Sequence, residues 1–227
     1  MNVAIVVAAG KGTRLGGDRP KQFLELGGIP IIVHALRQFE RSREISEVIT
    51  VLPAEDTAGF QSVVAGFGLG KVSRVIAGGA TRAQSVRCGL RTIESAEIVA
   101  VHDGVRPFVT GDELDRVVEA ARSSGAAILT APVPDTIKRV GNSLVVETIP
   151  RADLRRALTP QCFRLEILRE AYEALDQLEA EGTEITDESF LVERLGIEIA
   201  AVEGSARNIK ITTEEDLRWA ERLLGSS

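Results

Sequence analysis

The stretch from Val3 to Gln22, VAIVVAAGKGTRLGGDRPKQ, constrains this chain more than any other. A β-branched apolar run (Val3, Ile5, Val6, Val7) ends at Ala8-Ala9-Gly10, and a loop follows in which Lys11, Arg14 and Lys21 lie among Gly10, Gly12, Gly16 and Gly17. A continuous apolar run closed by glycine reads as a strand buried on both faces, as in a parallel sheet. Glycines let the backbone approach a ligand closely, and successive N–H groups beside cations suit an anionic one. The stretch therefore predicts a phosphate cradle at the carboxyl end of the first strand. Two familiar cradles are excluded. A G-x-G-x-x-G fingerprint starting at Gly10 would need glycine where Leu15 stands, and G-x-x-x-x-G-K-[ST] occurs nowhere in the chain.

Downstream, apolar strands alternate with amphipathic helices. Ile32, Ala35, Leu36 and Phe39 form a helical stripe opened by Pro30, with His34 beside it as a packing or surface residue. Strands are expected at Val48–Leu52, Val72–Ile76, Ile98–Val101 and Ala126–Thr130. Helices between them are marked by Ala83, Val86, Leu90 and Ile93, and by Leu114, Val117, Val118 and Ala121 behind a Thr110-x-x-Glu113 capping box. This alternation predicts an α/β fold with a mostly parallel sheet covered on both faces. Ligands of such sheets bind beyond the carboxyl ends of the strands, where Gly10–Lys21, Gly78–Ser85 and His102–Arg106 all fall.

The pattern changes after Ala131. Thr136–Val140 and Leu144–Thr148 flank Gly141-Asn142-Ser143, a hairpin signature. A lone hairpin is marginal in water, so residues 132–158 read as an inserted arm that clasps a second subunit, against a flap folded on its own domain. Further helices are expected along Leu165, Leu168, Tyr172 and Leu175 and around Phe190, Leu191 and Leu195. A late strand is expected at Ile197–Val202, and a terminal helix capped by Thr212-x-x-Glu215. The expectation is one domain spanning residues 1–227 plus the arm.

The 227 residues, 44% hydrophobic, suffice for one sizeable core, and a net charge of −6 argues against a general nucleic-acid surface. No signal peptide or membrane span is expected, and Cys88 and Cys162 are too far apart for a C-x-x-C site, which points to the cytoplasm.

Jointly, Ala8-Ala9-Gly10-x-Gly12-x-Arg14, Pro20-Lys21-Gln22, Gly78-Gly79-x-x-Arg82-x-x-Ser85-Val86, His102-Asp103-x-x-Arg106-Pro107 and Asp135-Thr136-x-Lys138 form a series. It continues with Thr159-Pro160-Gln161, Thr186-Asp187 and Asn208-Ile209-Lys210. This series, covering nearly the whole chain, resembles the small-molecule cytidylyltransferases. The resemblance implies a three-layer nucleotidyltransferase (Rossmann-like) fold. It also implies transfer of the cytidylyl group of CTP to 2-C-methyl-D-erythritol 4-phosphate with release of pyrophosphate and with Mg²⁺, in a cytoplasmic homodimer held by the arm. Pentitol phosphate enzymes, such as those using ribitol 5-phosphate, are the alternative.

By the same resemblance Arg14 and Lys21 grip the triphosphate, while Arg151 (from the neighbouring subunit's arm) and Lys210 position the attacking phosphate. Ala8, Ala9, Gly10, Gly79 and Ser85 surround the base. Asp103 contacts the ribose and the region of the metal, itself held mainly by CTP phosphates. Arg106, Thr136, Thr159 and Thr186 hold the polyol and its phosphate, and Arg82 either braces the loop or touches ligand. The chain departs from the family at Ala80, Gly104-Val105 and Glu188-Ser189-Phe190.

Overall fold

In the computed structural model, residues 1–10 and 20–225 are described. The apolar run that opens the chain forms β1 (Val3–Val7), every residue of which is buried. After it come β2 (Glu25–Leu26), β3 (Ile29–Pro30), α1 (Ile31–Arg41), β4 (Glu47–Leu52), α2 (Thr57–Gly66), β5 (Val72–Ala77), α3 (Arg82–Arg91), β6 (Ile98–Asp103), α4 (Gly111–Ser124) and β7 (Ala126–Pro132). The remainder comprises β8 (Ile137–Gly141), β9 (Leu144–Ile149), β10 (Arg155–Arg164), α5 (Leu165–Glu173), α6 (Leu175–Ala180), α7 (Glu188–Glu193), β11 (Ala200–Glu203) and α8 (Glu214–Gly225).

Seven strands form one sheet in the order β11-β7-β10-β6-β1-β4-β5. The pairs β1–β4, β1–β6, β4–β5 and β7–β11 are parallel, whereas β10 runs antiparallel to both β6 and β7. Because β1 is central, its side chains alternate between two cores. Ala4, Val6 and Ala8 pack with Ile32, Leu36, Phe39, Val117 and Val118 from α1 and α4. Val3, Ile5 and Val7 pack with Ala83, Val86, Leu90, Leu168 and Leu191 from α3, α5 and α7. Each fully buried large side chain contributes about 1.5–3 kcal/mol, so a strand buried on both faces anchors the domain. From β1 the chain steps outward through β4 and β5, then crosses to β6 on the other side. That reversal opens a crevice at the carboxyl ends of β1 and β6.

A third, smaller core joins Leu26, Ile31, Val105, Ile211 and Ala220, tying the β2–β3 hairpin to α8. Gly27 and Gly28 turn that hairpin with φ of +60° and +78°, and a Cβ on Gly27 would lie 2.6 Å from Leu224 Cδ2. His34 packs as expected, its Nε2 2.8 Å from the Leu26 carbonyl oxygen.

Several expectations need correction. β10 is absent from the sequence reading, because Pro160 removes a ladder donor and argues against a strand interior. The structure accommodates it where the β10–β7 register shifts between Ala157 and Gln161. The terminal helix is capped one residue later than expected. Thr213 Oγ1 accepts from Asp216 N at 3.2 Å, while the Asp216 carboxylate accepts from the N–H groups of Thr212 and Thr213, both at 2.8 Å. Two acceptable boxes overlap here, and the shorter Asp side chain closes the second. The late strand starts at Ala200 rather than Ile197, and Leu195 lies beyond α7. The hairpin of the arm is present as β8 and β9. Asn142 and Ser143 both adopt positive φ, +48° and +63°, as a two-residue hairpin turn twisted with its strands requires.

Candidate active site

The crevice at the carboxyl ends of β1 and β6 is a cavity of about 190 Å³ lined by Ala8, Ala9, Gly10, Lys21, Gln22, Gly79, Arg82, Ser85, Asp103 and Lys210, among others. Three strand ends build it. β1 delivers Ala8–Gly10, the turn from β5 into α3 delivers Gly79, and the last residue of β6 is Asp103. The β5–α3 turn must pass very close to β1. A Cβ on Gly78 would sit 2.5 Å from Ala9 Cβ and 2.7 Å from Ser85 Oγ, and one on Gly79 would sit 2.5 Å from Gln84 Cβ. The turn is held from inside α3, where Ser85 Oγ accepts from Gly79 N at 3.1 Å and donates to the Thr81 carbonyl at 2.9 Å. Thr81 Oγ1 caps α3 by accepting from Gln84 N.

Asp103 is the electrostatic centre. Its Oδ1 accepts from Arg82 Nε at 2.8 Å, while Oδ2 lies 2.9 Å from Lys210 Nζ and 3.5 Å from Arg106 Nε. Burial alone would raise its pKa. The three cations outweigh that and hold the carboxyl well below the usual carboxylate range, so Asp103 is ionised at any working pH. Arg82 in turn places its two terminal nitrogens on the oxygens of fully buried Glu188, at 2.8 and 3.0 Å. Burial opposes its charge, but Glu188 and Asp103 raise its pKa well above the ordinary value. Arg106 Nη1 donates to the Asn208 carbonyl at 2.9 Å, tying the β6 loop to the Lys210 segment.

His102 sits behind Asp103, fully buried, its ring edge-on to Phe39 at 5.2 Å. Its Nε2 lies 3.2 Å from the Arg106 carbonyl, which can only accept, so the ring proton is on Nε2. Nδ1 then accepts from the Thr159 hydroxyl at 2.9 Å, and the same hydroxyl accepts from Asp103 N at 3.1 Å. Burial lowers the His102 pKa to about 4, which keeps this arrangement neutral. The residue is therefore a structural support for Asp103 rather than an acid or base.

Among the described residues at the cleft, the cations Arg82, Arg106 and Lys210 surround the single carboxylate Asp103, with Glu188 behind Arg82 and Lys21 also on the lining. Three cations on one carboxylate, in a chain of net charge −6, make a local positive field that favours an anionic ligand. Among the described residues no group of three metal-binding side chains occurs, and Asp103 is the one carboxylate among those lining the cleft. That donor set fits a Mg²⁺ ion held mostly by phosphate oxygens, with at most one protein ligand.

Of the residues singled out in the sequence, Ala8, Ala9, Gly10, Lys21, Gly79, Arg82, Ser85, Asp103 and Lys210 line the cavity, and Arg106 and Thr159 adjoin it through Asp103. Thr136, Arg151 and Thr186 are exposed and are not among its lining residues, and Arg151 Nη1 bonds the Pro134 carbonyl at the base of the arm. Arg14 lies outside the described residues. Sequence reasoning missed Glu188 and Tyr172 as neighbours of the site. Glu188 stands directly after Thr186-Asp187, and Tyr172 was indistinguishable from its apolar helical stripe.

The family model described as 2-C-methyl-D-erythritol 4-phosphate cytidylyltransferase (IspD) matches residues 2–226. A relative of that name from Geobacillus kaustophilus is 44% identical over 223 residues, which is 98% of this chain and 96% of the relative. The crystal structure of 4-diphosphocytidyl-2C-methyl-D-erythritol synthase from Anaerococcus prevotii matches with a TM-score of 0.85 at 29% identity, covering 99% of this chain and 96% of that one. The cytidylyltransferase of Thermus thermophilus matches with a TM-score of 0.77 at 37% identity, covering 97% and 98%.

Proposed function

The chain belongs to the 2-C-methyl-D-erythritol 4-phosphate cytidylyltransferase family, and from that premise we propose that it transfers the cytidylyl group of CTP to 2-C-methyl-D-erythritol 4-phosphate, releasing pyrophosphate. The observation that carries the reading is the convergence of Lys21, Asp103 and Lys210 with the Ala8–Gly10 and Gly79 backbone in one cleft. Ribitol 5-phosphate is the less favoured acceptor, since the relatives matched over nearly their full length bear the methylerythritol name.

In this reaction an oxygen of the acceptor's phosphate forms a bond to the α-phosphorus of CTP, and the α–β bridging bond breaks as pyrophosphate departs. A phosphate monoester has a second pKa of about 6, so the nucleophile is already mostly dianionic at neutral pH and no general base is needed. Catalysis then consists of cancelling charge between two polyanions and aligning them. Arg14 and Lys21 grip the triphosphate, and Lys210 together with Arg151 steadies the attacking phosphate. Ala8, Ala9, Gly10 and Gly79 close around the cytosine with Ser85 behind them. Asp103 faces the ribose, and Arg106, Thr136 and Thr186 hold the polyol phosphate. Thr159 contributes by fixing the Asp103 backbone. Mg²⁺, held by CTP phosphates near Asp103, supplies further charge neutralisation when bound.

Arg151 reaches a cleft from the partner subunit in a homodimer. Its arm carries Val140, Leu144, Val145 and Val146 at 59–71% exposure, an apolar surface that a second copy of the arm would cover. The setting is cytoplasmic. Free Cys88 and Cys162 suit a reducing compartment, and no helix among the described residues is long and apolar enough to cross a membrane.

The test is pyrophosphate release from CTP and Mg²⁺ with 2-C-methyl-D-erythritol 4-phosphate, run in parallel with ribitol 5-phosphate. Turnover with the first alone is expected. Turnover with the second alone would move the chain to polyol-nucleotide synthesis, and no turnover with CTP bound would leave a binding module.

A further inference from the structure

Glu188 has no direct line to the cleft, yet it is the most deeply buried charge next to it. Its position is rigid. It is the first residue of α7, whose N-terminus is locked to β10. Asp187 caps Phe190 N at 3.0 Å, Gln161 Nε2 donates to Asp187 Oδ2 at 2.9 Å, and Ser189 N donates to Gln161 Oε1 at 2.9 Å. Both Glu188 oxygens are committed to Arg82, and Oε1 also accepts from the Tyr172 hydroxyl at 3.0 Å. The Arg82 Nε donates to Asp103 Oδ1, and Asp103 Oδ2 holds Lys210 Nζ. A continuous run Tyr172–Glu188–Arg82–Asp103–Lys210 thus crosses from α5 through α7, α3 and β6 to the segment before α8.

We propose that Glu188 is a positioning residue for cytidylyl transfer, clamping Arg82 so that Asp103 is fixed and, through it, the Lys210 ammonium is held in place for the reacting phosphates. The inference rests on the reading of this cleft as the active site. Two consequences follow from the geometry. With Glu188 in place the paired Nη1 and Nη2 edge of Arg82 is held on that carboxylate and Nε on Asp103, so neither edge is open to grip a phosphate bidentately; a guanidinium freed from Glu188 is well shaped to do so. And because the effect of Glu188 passes through Asp103, the two residues act as one unit rather than independently.

The experiment compares Glu188→Gln, Asp103→Asn and the double variant by steady-state kinetics and by calorimetric CTP binding. Glu188→Gln is expected to lower kcat roughly 10- to 100-fold, within the range of couplings measured for residues in one ion-pair network. CTP affinity should be unchanged or tighter. The double variant should be no worse than the poorer single. A Glu188 that merely stabilises the fold would instead weaken CTP binding along with kcat, and its effect would multiply with that of Asp103→Asn. Either of those results, or wild-type kcat in folded Glu188→Gln, overturns the proposal.

Should Glu188→Gln fail to fold, Tyr172→Phe removes a single hydroxyl from the same carboxylate. Its kcat loss, about 2- to 5-fold by the same scale, must again be absent in the Asp103→Asn background. An effect of Tyr172→Phe that multiplies with Asp103→Asn counts against the run. If the wild-type chain turns over neither acceptor, the functional reading fails, and the inference is judged from ¹³C-methylated lysine spectra. The Lys210 resonance must move in Glu188→Gln, and one that stays in place refutes it.

Discussion

Lowering the pH from 8 to 5 should destabilise this protein through one residue, His102. Its folded-state pKa of about 4 lies below the ordinary 6.5 because the ring is fully buried, so protons bind the unfolded chain more tightly than the folded one. The stability tied to the neutral ring is therefore fully present above about pH 6.5 and is lost as the pH falls from there toward 4. At pH 5 the unfolded imidazole is almost wholly protonated and the folded one is about one-tenth protonated, a difference of about 2 kcal/mol. Asp103, Glu47, Asp115 and Asp216, whose pKa values are lowered, shed their own contributions only below about pH 5, which leaves this window to the imidazole. With a urea dependence of about 2 kcal/mol per molar, the unfolding midpoint should drop by about 1 M between pH 8 and pH 5. His102→Asn, whatever its absolute stability, should lose most of that drop. An equal drop in the variant would refute the assignment of His102 as a neutral support under Asp103.

Gly78→Ala drives a Cβ to within 2.5 Å of Ala9 Cβ and 2.7 Å of Ser85 Oγ, so β1 and α3 must part where the base is expected. A stability loss of about 1–3 kcal/mol by urea unfolding should accompany at least tenfold weaker CTP binding by calorimetry. Thr213→Ala should cost about 1 kcal/mol, as loss of an N-cap does, while Glu215→Ala should leave the urea midpoint nearly unchanged. Leu144→Asp with Val146→Asp should convert a dimer to a monomer in light scattering. Mixing refolded Arg151→Ala with Lys210→Ala should restore about one quarter of wild-type activity, since half the dimers are mixed and each carries one intact site. Wild-type monomers, or no recovery on mixing, would defeat the arm reading.

The two-sided burial of β1, the helical stripes and the Thr110–Glu113 box could be read from the sequence because each is a local pattern with one physical solution. β10 could not, because Pro160 contradicts a strand locally, and the fit is settled by the long-range pairing of Gln161, Cys162 and Phe163 with β6. The site divides in the same way. Ala8–Gly10, Gly79, Asp103 and Lys210 stand at strand ends or in motifs that announce them. Glu188 reads as a solvated helix-start acid until α7 is docked against Arg82, and Tyr172 reads as core until its hydroxyl finds that carboxylate. Arg151 was legible as a cation, but a single chain leaves it on the arm beside Pro134.

A crystal structure with CTP and Mg²⁺ tests the placement of the nucleotide most directly. Cytosine is expected against Ala8–Gly10, Gly79 and Ser85, with the triphosphate running toward Lys21. CTP seated instead in the basic groove lined by His34, Arg37, Arg41 and Arg207, with the β1–β6 crevice empty, would contradict it.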